Sequence, residues 1–331
     1  MIISRAPVRI TLGGGGTDLK SYYAKCGGFL IAAAIDRYVF ISANKRFYNG
    51  IRLSYSETEI VDDVSKIKHR IFREALKQLK IDGGIELVSI ADVPSNCGLG
   101  TSSSFTVSLL NALHAYKREF VTQRQLAEEA CHIEIDILGE PIGKQDQYMT
   151  AFGGITCLTF EKNGDVLVEP LRVSEETIGQ LEDNLLLFST GIERSASAIL
   201  RDQNVKSQQG DADMIENLSQ IKQIGLDTRK ILEKGDLAEF GSLFDVHWRI
   251  KKKRSKVITD PFLDECYEAA LKNGAIGGKL MGAGGGGFFM FYCRNSERPK
   301  LSQTMKKMGL TPMKFDFDFE GAKILVNMKR S

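Results

Sequence analysis

The sequence predicts an α+β fold in two parts, and three observations lead there. With 331 residues the chain exceeds what one typical hydrophobic core supports. Alternating, β-branched stretches dominate up to about residue 175, and long amphipathic patterns follow. A glycine-rich turn, Pro94-Ser95-Asn96-Cys97-Gly98-Leu99-Gly100-Thr101-Ser102-Ser103-Ser104, joins a strand pattern to a helix pattern and makes an anion site the central expectation.

Ile2 to Leu12 alternates as a strand and breaks at Gly13-Gly14-Gly15-Gly16, a flexible link unless something packs against it. Phe29 to Phe47 reads as a strand pair or one long bent strand, and Ile51 to Tyr55 as another. Lys66 to Lys80 places Ile67, Ile71, Ala75, Leu76 and Leu79 on one helix face, with His69 on the solvated side. Ile85 to Ala91 is a strand, and Phe105 to Tyr116 a helix.

Between these two lies the glycine-rich turn. Its glycines let backbone approach a phosphate, and the free N–H groups of the helix start carry about half a positive charge. The four hydroxyl residues Thr101 to Ser104 add ligands for phosphate oxygens or a metal. Neither Gly-Lys pair completes a P-loop, being followed by Gln145 and Leu280. A dinucleotide-binding spacing, Gly282-x-Gly284-x-x-Gly287, opens onto the strand pattern Phe288 to Cys293 where a helix would be needed.

Thr122-x-x-Gln125 is a capping box for a helix through Leu138. His132 and Asp136 share a face, which leaves open a metal site or a surface pair. The segment Gly139 to Tyr148 reads as a loop with Asp146 in its middle, either a catalytic acid or a helix cap. Strands run from Gly153 to Phe160 and Val166 to Glu169.

Past residue 175 a short strand, Leu185 to Thr190, precedes helices at roughly 194–203, 212–234, 236–254 and 260–272. Asp236-x-x-Glu239 and Asp260-Pro261 are their start signals. Lys251-Lys252-Lys253-Arg254 reads as a solvated helix end whose cations suit the dipole. The tail reads as a layer of strands at Ala275 to Met281, Gly287 to Cys293, Met313 to Phe319 and Lys323 to Met328, with a helix at Leu301 to Met308.

Composition is that of an ordinary globular protein, with 43% hydrophobic and 26% charged residues. A net charge of +2 gives no reason to expect nucleic acid or a membrane as partner, so an anionic ligand needs local charge. Six scattered cysteines without a C-x-x-C pair read as reduced thiols, and with no leader or spanning pattern in view the cytoplasm is the expected compartment.

Three motifs together resemble the GHMP small-molecule kinases: Ala6-Pro7-Val8-Arg9-Ile10-Thr11-Leu12 leading to Thr17-Asp18, the turn Pro94 to Ser104, and Leu280-Met281-Gly282-Ala283-Gly284-Gly285-Gly286-Gly287. The resemblance implies a ribosomal protein S5 domain 2-like N-terminal domain, here residues 1–175, and a ferredoxin-like C-terminal domain, residues 176–331, with the active site between them. It implies ATP bound by Pro94, Gly98, Leu99, Gly100, Thr101, Ser102, Ser103 and Ser104, and Mg²⁺ held by Ser102 and Glu134. Asp146 matches the catalytic acid and Arg9 its basic partner, while Asp18 matches the acceptor of sugar hydroxyl hydrogen bonds. Thr101 stands where the second motif usually has Ser.

Gly15 and Gly16 stand where galactokinases have an acid and a histidine, which argues against galactose and for a bulkier sugar. Taken with Gly139-Glu140-Pro141, Gly143-Lys144-Gln145-Asp146-Gln147 and Thr190-Gly191-Ile192-Glu193-Arg194-Ser195, the chain is similar to the branch that phosphorylates D-glycero-D-manno-heptose 7-phosphate at its anomeric hydroxyl. In that reading Asp18, Gly15, Gly16, Gly284 and Gly285 contact the sugar phosphate, and Arg194 either holds the phosphate that the sugar already carries or pairs with Glu193 or a neighbouring acid at the surface. A kinase of a free sugar such as fucose and a non-catalytic sensor are the alternatives. The expected partners are the sugar phosphate and ATP, and a homodimer stays open.

Overall fold

The computed structural model describes residues 1–193, 196–255 and 257–328. Strand β1 (Ile2–Gly13) leads through the glycines to helix α1 (Lys20–Cys26) and the long strand β2 (Gly28–Lys45). Next come β3 (Ile51–Ser54), β4 (Thr58–Val61), α2 (Arg70–Gln78), β5 (Ile85–Ala91), α3 (Thr101–Lys117) and α4 (Gln123–Cys131). A π-helical turn, His132–Ile137, precedes α5 (Gln145–Phe152), β6 (Ile155–Phe160) and β7 (Val166–Pro170). The second half contains α6 (Glu175–Asn184), β8 (Leu185–Ser189), α7 (Ala196–Gln209), α8 (Ala212–Lys234), α9 (Leu237–Lys252) and α10 (Pro261–Lys272). It closes with β9 (Ala275–Leu280), β10 (Phe288–Cys293), α11 (Arg298–Lys307), β11 (Thr311–Met313) and β12 (Lys323–Asn327).

Eight strands form one sheet along the path β12-β1-β2-β5-β3-β4, with β6 added to β2 and β7 to β6. A second, antiparallel sheet runs β11-β8-β10-β9. Strand β2 explains its own sequence. Leu30 and Ala32 face one core with Val107 and Leu110 of α3, whereas Phe29, Ile31 and Ala33 face a second core with Ile231 and Phe244 from α8 and α9. A strand buried on both faces reads as an unbroken apolar run. Truncating Ile31, which is fully buried, to alanine would cost about 2–5 kcal/mol through lost burial and a cavity.

Local signals place the helix starts. The Thr122 hydroxyl accepts from Gln125 N–H at 3.1 Å, Asp236 from Glu239 N–H at 3.0 Å, and Asp260 from Leu263 N–H at 2.9 Å. All six cysteines are free thiols. Among the described residues no helix is long and apolar enough to cross a membrane.

Several expectations change. Residues 145–152 form a helix rather than a loop, with Asp146 in its first turn. Helix α2 begins only at Arg70, because the Glu59 carboxylate accepts the N–H groups of Lys68 and His69 at 2.7 and 3.1 Å and holds that stretch extended. His69 is not solvated: it caps α2 and packs against Tyr55, Phe72 and Phe105, and burial lowers its pKa. Residues 314–319 are not a strand, and the last strand, β12, pairs with Ile2–Arg5 in the first sheet instead of joining the C-terminal layer.

Candidate functional site

The glycine-rich turn does open a helix. Gly100 is the N-cap of α3, in a left-handed conformation (φ 80°) that favours glycine, and no side chain caps the helix start. The first helical bond runs from Ser104 N–H to Gly100 O, so the N–H groups ahead of it, on the cleft-lining residues Thr101, Ser102 and Ser103, have no helical partner and suit an anion. The third motif seals this turn from the other side. A Cβ on Gly282 would lie 2.7 Å from Gly98 Cα, and one on Gly287 2.2 Å from Cys97 O, so backbone meets backbone where any side chain would keep them apart.

Not every residue of the turn faces the cleft. Asn96, Cys97, Gly98, Gly100, Thr101, Ser102 and Ser103 line it. Leu99 is buried and its carbonyl accepts Arg9 N–H at 2.9 Å, the Ser104 hydroxyl bonds Pro7 O at 2.7 Å, and Pro94 O accepts the Thr101 hydroxyl at 3.2 Å. These three support the loop. Lys68, His69 and Arg70, which no motif announced, also border this part of the cleft, together with Glu140 of Gly139-Glu140-Pro141.

Arg9 and Asp146, 137 residues apart, meet in a two-point ion pair. Arg9 Nε donates to Asp146 Oδ1 at 2.7 Å and Nη2 to Oδ2 at 2.8 Å, while Nη1 donates to Gly98 O at 2.7 Å. One guanidinium therefore ties the acid of α5 to the phosphate turn. Gln145 Nε2 adds a bond to Oδ1 at 3.2 Å. Oδ2 keeps a lone pair and lies beside Gly100, where a Cβ would approach it to 3.1 Å. It is the oxygen free to take a hydroxyl proton.

Glu134 is buried and accepts three hydrogen bonds of 2.8 Å, from the Ser102 and Ser103 hydroxyls and Gln147 Nε2. The π-helical turn around it, marked by the Leu138 N–H to Ile133 O bond, replaces the regular helix expected there. Such wide turns recur at functional sites. Burial pushes the Glu134 carboxyl above its ordinary range, helped by nearby Asp146 and opposed by the three hydrogen bonds. Facing hydroxyl and carboxylate are hard oxygen donors, a set that fits Mg²⁺ when phosphates complete its shell. His132 and Asp136 make an exposed pair of 3.0 Å apart from Glu134.

Asp18 forms the far wall. It accepts N–H bonds from Gly16 and Gln145, both 3.2 Å, and a Cβ on Gly143 would lie 1.9 Å from its Oδ2. Burial, with a contribution from Asp146, raises its pKa. Gly16 does not open room for a bulkier sugar: a Cβ there would come within 2.7 Å of Arg254 Nη1, so the guanidinium occupies that place. A Cβ on Gly15 would lie 3.1 Å from Thr11 Cγ2. Gly284 and Gly285 turn toward Ile258, whose carbonyl accepts Gly285 N–H at 2.8 Å, and Gly282 and Ala283 line the cleft in their place. Arg194 lies outside the described residues.

The basic helix end is solvated only in part, Lys253 being exposed and Lys252 half-buried. Lys251 and Arg254 are buried, Lys251 Nζ donating to Leu280 O and Gly282 O at 2.8 and 2.6 Å, and both line the cleft with Lys279 and His247. A run of four cations gives no local sign of which will be covered; only packing against β9 and the third motif decides it.

Comparison with known proteins agrees with this geometry. Residues 64–154 match the GHMP kinases N terminal domain and residues 228–309 the GHMP kinases C terminal domain. The chain is 31% identical to the D-glycero-alpha-D-manno-heptose 7-phosphate kinase of Campylobacter jejuni, over 97% of this chain and 98% of that one. It is 27% identical to an L-fucokinase/L-fucose-1-P guanylyltransferase of Bacteroides fragilis, covering 90% of this chain but 35% of that protein. Among solved structures, a D-glycero-D-manno-heptose 1-phosphate kinase from Bacteroides thetaiotaomicron superposes with a TM-score of 0.83 at 25% identity, over 99% of this chain and 100% of that one.

Proposed function

The chain belongs to the GHMP kinases and is an ATP-dependent sugar kinase, and from that premise we propose that it transfers the γ-phosphoryl group of ATP to the anomeric hydroxyl of D-glycero-D-manno-heptose 7-phosphate, giving the 1,7-bisphosphate. The Arg9–Asp146 pair carries this reading, because it sits between an open helix N-terminus suited to phosphates and the Asp18 wall suited to sugar hydroxyls.

Each step falls to a residue. The N–H groups at the start of α3 hold nucleotide phosphate oxygens, and Arg9 both fixes Gly98 and adds positive charge beside the transferring group. Asp146 Oδ2 takes the proton of the sugar hydroxyl as its oxygen bonds the γ-phosphorus and the bond to the leaving ADP oxygen breaks. Asp18 accepts hydrogen bonds from other hydroxyls and so fixes which one faces Asp146. Ser102 and Glu134 would hold Mg²⁺, which neutralises phosphate charge when bound. A soluble donor and acceptor suit a reaction in the cytoplasm.

The test is a phosphate-transfer assay with ATP and a panel of free and phosphorylated sugars, products being identified by ³¹P NMR. An anomeric phosphate on heptose 7-phosphate, formed far faster than on any free sugar, is the expected result. Preferred turnover of free fucose would replace the acceptor, and absence of transfer to every sugar would refute the kinase reading.

A further inference from the structure

Three cations without a carboxylate partner cluster at one end of the cleft. Lys251, Arg254 and Lys279 are 6%, 9% and 3% exposed, and among the described residues none makes an ion pair. Lys279 Nζ meets His247 Nδ1 at 3.2 Å, and Lys251 Nζ is tied to two carbonyls. Buried charge of one sign is costly unless something of the other sign arrives. Burial first, then the neighbouring cations, holds the pKa of Lys251 and of Lys279 well below the ordinary lysine value, and burial brings Arg254 down to about 10 against the opposing pull of the Asp18 carboxylate.

Arg254 lines the cleft and is the one that keeps an unpartnered donor. Gln203 Oε1 accepts from Nη1 at 3.0 Å and Asn217 Oδ1 from Nε at 3.2 Å, so two neutral amides on α7 and α8 orient the fork without neutralising it. Nη2 has no hydrogen-bond partner. Gln203 Nε2 in turn donates to Gly16 O at 3.2 Å, which fixes the guanidinium against the turn that leads to Asp18. All these contacts lie on the sugar side. The nucleotide turn has its own partners in Arg9, Asp146 and the third motif. Gly16 is required here, since its missing side chain is the room the guanidinium occupies.

We propose that Arg254, held by Gln203 and Asn217 beside Gly16 and Asp18, binds a phosphate group that the acceptor sugar already carries. The proposal rests on the reading that the acceptor is a sugar phosphate and names the residue that selects it. A guanidinium fork matches phosphate oxygens at two points, and a dry, cationic setting strengthens each bond.

Steady-state kinetics of the full-length enzyme and its Arg254→Gln variant, with heptose 7-phosphate and with unphosphorylated heptose, test it. The variant should raise KM for the 7-phosphate at least about tenfold, the effect of losing one or two charge-assisted bonds, with KM for ATP unmoved. Its preference for phosphorylated over free heptose should fall by the same factor, and Arg254→Lys should recover part of it. A purely structural role would slow both sugars alike and leave the preference intact, overturning the proposal while the sugar-phosphate reading stands. A wild-type enzyme with no preference would instead remove that reading. Inorganic phosphate gives a check on the wild-type protein that does not depend on a variant folding. Inhibition competitive with heptose 7-phosphate is expected, and inhibition competitive with ATP alone would overturn the assignment.

Discussion

Replacing Asp146 with asparagine changes one oxygen of the carboxylate to an amide and removes its charge. In the native site both oxygens accept from Arg9, at 2.7 and 2.8 Å, and Oδ2 retains a lone pair for the substrate. An asparagine leaves one N–H group facing a guanidinium N–H, or it turns and presents a donor to the sugar hydroxyl. Either way no proton acceptor of comparable strength remains. Loss of a general base costs roughly 10²- to 10⁴-fold in kcat, about 3–5.5 kcal/mol of barrier. An anomeric hydroxyl is more acidic than other sugar hydroxyls, which places the loss toward the lower end. Stability should fall less. Breaking a fully buried pair costs about 3–5 kcal/mol, but the Asp146 side chain is 25% exposed and Arg9 keeps its bond to Gly98 O, so about 1–3 kcal/mol is expected. The assay is single-turnover phosphate transfer at saturating ATP and sugar, paired with a thermal melt and a nucleotide titration. A folded Asp146→Asn protein that binds ATP normally and retains near-wild-type kcat would refute the assignment of the proton to Asp146.

Three further outcomes follow from other parts of the molecule. Glu134→Gln keeps the shape but weakens a hard ligand next to Ser102, so the Mg²⁺ concentration giving half-maximal rate should rise; an unchanged dependence would place the metal elsewhere. Gly143→Ala puts a methyl 1.9 Å from Asp18 Oδ2 and should raise KM for the sugar about tenfold or more while KM for ATP holds, and equal KM values for both proteins would mean that Asp18 does not contact the sugar. His114 lies between Glu129 and Glu119, at 2.8 and 3.0 Å, and their hydrogen bonds raise its pKa despite its burial. A raised histidine stabilises the fold fully below its unfolded pKa of about 6.5 and loses that contribution as pH rises through the folded value. Melting temperatures of wild type and Glu129→Gln should therefore differ most in mild acid and converge at alkaline pH; a constant gap would show that His114 is not the titrating group.

How much was legible follows from the range of the forces involved. The sequence by itself determined the strands and helices whose signals are local: the two-sided apolar run of β2, and the starts of α4, α9 and α10, where a side chain bonds an N–H three residues on. It also marked Arg9 and Ser102, which lie in the glycine-linked motifs, and through the resemblance to the GHMP kinases Glu134 and Asp146, as candidates for phosphate transfer. Only the tertiary structure decided what depends on partners far along the chain. The Glu59 carboxylate delays α2 from nine residues away, the widened turn carries Glu134 onto Ser102 and Ser103, and β12 returns more than 300 residues to pair with β1. The clearest case is the helix end at 251–254. Four basic residues look alike in a sequence, and helix geometry favours cations at that end whether wet or buried. Which of them loses its water is fixed by Gln203 and Asn217, 51 and 37 residues before Arg254, and by a glycine at position 16 that leaves the guanidinium its place.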